Sequence, residues 1–125
     1  MESPKDTLLP TGKLIPVRGH PYDIRKPTSV GKLSLDHVYT DIPPGMFARI
    51  DYTTKKIQVT LETSPDFTHA VVYTGHPGAV CIENQTCSTD AHNLWNKGLK
   101  EASHLLIVPP QQSHTGHIIY EVTGY

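Results

Sequence analysis

Glu83 sits where the chain changes character. The apolar run Ala79-Val80-Cys81-Ile82 delivers it into a polar, mostly uncharged stretch that continues Asn84-Gln85-Thr86-Cys87-Ser88-Thr89-Asp90-Ala91-His92-Asn93. A carboxylate at the end of a central strand is partly desolvated, which favours its protonated form, and amide or hydroxyl neighbours can orient it. A group so placed can take and return a proton as a general base. The same residues suit a structural role, and on pattern alone suit it better, with Glu83 closing a strand and accepting hydrogen bonds from a loop. Pattern by itself leaves both readings open.

Other chemistries find less support. There is no G-x-G-x-x-G, no G-x-x-x-x-G-K-[ST], no C-x-x-C pair and no H-E-x-x-H in the chain, so nucleotide and zinc-protease readings lose their usual anchors. Eight histidines are present, with His114 and His117 three apart and His69 and His76 flanking Ala70 to Tyr73. Spacing of three on a loop entering a strand does not bring two imidazoles to one face as it would on a helix. No metal and no cofactor is expected. Cys81 and Cys87 have no evident activating cation beside them and read as reduced, buried and inert thiols.

Length and charge bound the partners. A chain of 125 residues suits one domain with one core. Eleven Lys and Arg against twelve Asp and Glu give a formal charge of −1 without any block of like charge, so nucleic acid and anionic membrane surfaces are not expected partners, whereas a neutral ligand is unopposed. Two cysteines are too few for a secreted disulfide framework. The opening Met-Glu-Ser-Pro-Lys-Asp lacks a charged region followed by an apolar one, so a signal peptide is not expected, and no apolar run approaches the roughly 20 residues of a membrane span. The expected location is cytoplasmic, and the N-x-[ST] match at Asn84-Gln85-Thr86 then has no meaning.

The elements that must position Glu83 are short. Eleven prolines and nine glycines interrupt the chain too often for long helices. Strands are expected at Leu14 to Val17, His37 to Ile42, Met46 to Tyr52, Lys56 to Thr63, Ala70 to Tyr73, Ala79 to Glu83, Leu105 to Val108 and His117 to Val122. In the hairpin around Thr53-Thr54-Lys55, Ile57, Val59 and Leu61 alternate with polar neighbours, which buries one face only. The runs ending in Tyr73 and Glu83 are expected to lie centrally in their sheet. Asp90 to Ala102 is the best helical candidate, but Gly98 weakens it, and a loop or single turn is expected there. About eight short strands with turns between them predict an all-β sandwich or barrel.

Five blocks then gain meaning together. Leu9-Pro10-Thr11-Gly12, Pro21-Tyr22-Asp23-Ile24-Arg25, Leu35-Asp36-His37-Val38-Tyr39, Val72-Tyr73-Thr74-Gly75 and Ile82-Glu83-Asn84-Gln85-Thr86 through Asp90-Ala91-His92-Asn93 resemble, in order, successive motifs of the aldose 1-epimerases, or mutarotases. The resemblance implies a β-sandwich of the galactose mutarotase-like type, with residues 1–125 as the C-terminal portion of that domain. It implies interconversion of the α and β anomers of a free aldohexose without a cofactor. It implies Glu83 as the base and Asp36 as a carboxylate that holds sugar hydroxyls. Asp36 could otherwise be a turn-stabilising residue beside His37.

Two departures from the family pattern shape the expectation. The family's histidine acid belongs to the preceding half of its domain, and no histidine of this chain matches its place. Activity is therefore expected only with an N-terminal half supplied. Val71 stands where many members have glutamine, and Thr89 replaces a proline before Asp90-Ala91; the first removes a hydroxyl contact and the second alters loop stiffness. A non-catalytic carbohydrate-binding module and a self-associating β-domain with open strand edges are the competing readings. A phosphosugar reading would need cations converging on Glu83, and only Lys97 and Lys100 are close in sequence.

Overall fold

The computed structural model describes residues 1–4, 7 and 9–125. Lys5 and Asp6 of the opening run, together with Leu8, lie outside the described residues. Six strands dominate: β1 (Asp36–Tyr39), β2 (Gly45–Tyr52), β3 (Ile57–Thr63), β4 (His69–Tyr73), β5 (Cys81–Gln85) and β6 (Ile118–Gly124). Two short helices, α1 (Ala91–Asn96) and α2 (Lys100–Ser103), separate β5 from β6. The strands form two antiparallel sheets of three, ordered β1-β4-β5 and β2-β3-β6. The chain is thus mostly β, a partial sandwich architecture in which close packing of element on element lies within each sheet and between the two helices.

The second sheet follows from alternation. Pairing aligns Ala48, Leu61 and Tyr120 in one row and Ile50, Val59 and Val122 in the next. Directly paired residues share a face, so one face is apolar apart from Thr63 at its end. Arg49, Asp51, Gln58, Thr60, Glu62 and Glu121 occupy the other. The apolar face is closed over Leu61, which is 3% exposed, and open toward the edge, where Tyr120 and Val122 are 62% and 66% exposed.

The first sheet corrects one expectation. Strand β4 is central, with Ala70 and Val72 buried, but β5 is an edge strand rather than a second central one. Two expected strands are also missing: 14–17 and 105–108 run without ladder partners among the described residues. Pro16 removes a donor from the first, and Pro109-Pro110 follows the second directly. The residues between α1 and the end of α2 depart the other way. They are helical because Ala91, Leu94 and Ala102 are buried, although Asp90 makes no side-chain cap to the backbone and adopts φ of 59°. Gly98, at φ of +81°, ends α1 in the left-handed conformation that glycine adopts without strain.

Core residues gather beside the first sheet and the helices. Leu35, Ala70, Val72, Ala91, Leu94 and Ala102 are buried. The Ser103 hydroxyl donates to the Ala91 carbonyl at 3.0 Å, and the Ser88 amide donates to the Ser103 carbonyl at 3.0 Å, which ties the segment after β5 to both helices. No helix among the described residues is long and apolar enough to cross a membrane.

Candidate functional site

Register in the first sheet decides which side chains meet. Asp36 pairs with Tyr73, and Tyr73 with Cys81. One row along, Val38 pairs with Val71, and Val71 with Glu83. Paired residues in antiparallel strands point to the same side, so Asp36, Tyr73, Cys81 and Glu83 share one face with Val71 between them. Asp36 and Glu83 stand on the two outer strands, which two inter-strand spacings put about 10 Å apart. The sheet thus joins two carboxylates 47 positions apart in sequence (83 minus 36), with an open floor between them.

Each position has a local cause. Thr74 clips the entry to β1: its hydroxyl accepts from the Leu35 amide at 2.8 Å and donates to the Leu33 carbonyl at 3.2 Å. The Thr74 amide also donates to the Leu35 carbonyl at 2.9 Å, so Asp36 enters the sheet in fixed register. Tyr73 is 40% exposed, and its ring lies against Gly75, where any side chain would collide with the ring. Gly78, at φ of +76°, helps turn the chain from β4 into β5.

Glu83 is exposed in the middle of β5, not desolvated at the end of a central strand. Its Oε1 accepts from the Cys81 thiol at 3.1 Å. That hydrogen bond, with some desolvation and the nearby negative charge, pushes the Cys81 thiol above its ordinary pKa. Both cysteines are free, Cys81 exposed and Cys87 half-buried, whereas the sequence predicts both as buried. An edge strand leaves Cys81 uncovered. Asp36 is exposed, and its amide donates to His37 Nδ1 at 3.1 Å.

The histidines divide by location. His37 lies on the opposite face of β1, in a stack with Tyr22 at 5.0 Å and, beyond it, His20 at 4.7 Å; burial lowers its pKa. His76 is exposed in the β4–β5 loop, beside the Pro77 carbonyl. His114 Nε2 meets Asp66 at 3.3 Å. His69 points to the same side as Glu83 but is fully buried, and burial together with His104 lowers its pKa to about 4, so it is neutral near pH 7. Its Nδ1 meets the Thr68 hydroxyl at 2.8 Å. His69 Nε2 and Gln85 Oε1, on paired residues, are both buried without a protein partner among the described residues. No cluster of three metal-binding side chains occurs among the described residues.

The face carrying Glu83 is open. Shallow depressions lie elsewhere, one lined by Gly12, Leu14 and Leu99 and another by Arg18, Asp23 and Arg25. Lys100, one of the two lysines close to Glu83 in sequence, sits over the Trp95 ring at 4.8 Å. An exposed carboxylate, an aromatic ring and a second carboxylate on one sheet face can together move a proton and hold a neutral polyol.

A family model described as aldose 1-epimerase matches residues 2–121. The chain belongs to the aldose 1-epimerase family. No curated protein and no solved structure matches it. Membership makes this a sugar-epimerase or mutarotase-like domain in general terms. Tyr73 and Cys81 are the residues of this face that sequence reasoning passed over as site members. Their signal lies in strand register, which no single segment displays.

Proposed function

We propose that the chain supplies the base side of an aldose 1-epimerase site acting on a free aldohexose such as galactose or glucose. Glu83 takes the proton of the anomeric hydroxyl while an acid protonates the ring oxygen. The bond from the anomeric carbon to the ring oxygen breaks as the carbonyl forms, the carbonyl turns about its bond to the next carbon, and the ring oxygen then adds back on either face, giving its proton to the acid while Glu83 returns its proton to the anomeric oxygen. Asp36 accepts hydrogen bonds from sugar hydroxyls across the floor formed by Val71 and Tyr73. The observation that carries this reading is the shared face of Asp36 and Glu83 on β1 and β5. Val71 offers no hydrogen bond where many family members have glutamine, so one hydroxyl contact is lost and recognition is looser there.

The acid comes from outside residues 1–125. His69 is buried and neutral, and His37 lies on the other face. We propose that these residues form the C-terminal portion of a cytoplasmic β-sandwich and that an N-terminal half bearing the histidine acid covers the apolar face of β2-β3-β6. The exposure of Tyr120 and Val122 on that face supports this. Polarimetry on freshly dissolved galactose tests it. The chain alone gives negligible acceleration, the added half restores it, and Glu83→Gln lowers it on the order of 100-fold or more. If the chain instead titrates sugar by NMR but never accelerates mutarotation with that half present, it is a carbohydrate-binding module. If it self-associates and binds no sugar, the open edges serve pairing of copies.

A further inference from the structure

We propose that Cys81 is a positioning residue for Glu83, its thiol donating to Oε1 and leaving Oε2 free to take the anomeric proton. The proposal rests on the reading of Glu83 as base. The contact is direct, with Sγ 3.1 Å from Oε1. The two residues stand two apart on β5 and so share a face. Because β5 is an edge strand, Glu83 has a neighbour strand on one side only, and that neighbour presents Val71, which cannot hydrogen-bond a carboxylate. Among the described residues no other group donates to the Glu83 carboxylate. A glutamate side chain in that setting is free to sample several rotamers, and ordering it has an entropic cost that one hydrogen bond can offset.

The donor must be protonated to act. The hydrogen bond to Glu83 raises the thiol's pKa, so the proton stays on sulfur at neutral pH. Above that pKa the donor becomes an anion beside a carboxylate, and attraction turns into repulsion. Strand propensity does not call for cysteine here, since a β-branched residue would serve the ladder better. Tyr73, paired with Cys81, flanks the thiol on its other side and leaves it exposed to reagents.

The test needs no turnover. Iodoacetamide modification of Cys81, followed by peptide mass spectrometry on the full chain from pH 7 to 9.5, reads the thiolate fraction, with Cys87 as internal control. Glu83→Gln removes the charge that holds the proton on sulfur, so Cys81 should react at least about threefold faster at pH 8, while Cys87 is unchanged. Equal Cys81 rates in the two proteins overturn the proposal. Three-bond couplings of the Glu83 side chain read its rotamer directly. A single rotamer is expected in the wild type and in Cys81→Ser, with averaging in Cys81→Ala, and averaging already in the wild type overturns the proposal. Normal mutarotation by Glu83→Gln would remove the base reading yet leave these rates and couplings as they are, so the two failures are told apart.

Discussion

His69 offers the clearest pH signature among single residues. Its pKa falls from an ordinary 6.5 to about 4, through burial first and the neighbouring His104 second. A histidine that is harder to protonate when folded favours the unfolded state as acid is added, so stability is full above pH 6.5 and declines as pH falls toward 4. The loss is on the order of 3 kcal/mol. Urea midpoints measured from pH 7 to 4 should fall over that window, and the fall should shrink in His69→Gln; a pH-independent midpoint would remove His69 from the account. The residue scale is also where sequence reading reached least far. Glu83 was legible because an apolar run leads straight into it. Its exposure was not, since nothing in Ala79 to Ile82 says whether a strand lies inside a sheet or at its edge. The Cys81–Glu83 contact was hidden for the same reason.

Among elements, the second sheet was legible and the helices were not. Ile57, Val59 and Leu61 alternate strictly, and the sheet buries the face that alternation marks. For α1 and α2, propensity and tertiary burial pull in opposite directions. Gly98 and the absence of a side-chain cap disfavour helix, but Leu94, fully buried, draws α1 onto the core. Leu94→Ala should therefore cost about 2–5 kcal/mol in urea or thermal unfolding, whereas a loss below about 1 kcal/mol would mean that the helix does not depend on that anchor. Gly98→Ala places a Cβ in the left-handed region and should cost about 1–2 kcal/mol, readable in the same experiment as a shifted midpoint with unchanged slope. The strands expected at 14–17 and 105–108 did not form because a strand needs a partner, and proline in or beside each run limits the donors it can offer.

For the whole molecule, turn chemistry and short apolar runs sufficed to indicate an all-β architecture, and the ordered motifs sufficed for the family. How the two sheets are completed was not legible, because coverage of a face is a property of whatever packs on it. An N-terminal half seated on the apolar face of β2-β3-β6 would desolvate Val122, so Val122→Lys would bury an unpaired charge. Complementation by that half should weaken at least about tenfold in a binding titration, with the circular dichroism of the chain unchanged; equal affinity would place the half elsewhere.

If Glu83 moves the anomeric proton, its loss should stop catalysed anomer exchange. Magnetisation exchange between the α and β anomers of [1-13C]galactose at equilibrium, with the chain and the proposed N-terminal half present, measures that step directly. The wild-type chain with that half should accelerate exchange, and Glu83→Gln should reduce it to the buffer rate with sugar binding retained. Acceleration that survives in Glu83→Gln would mean that another group takes the anomeric proton.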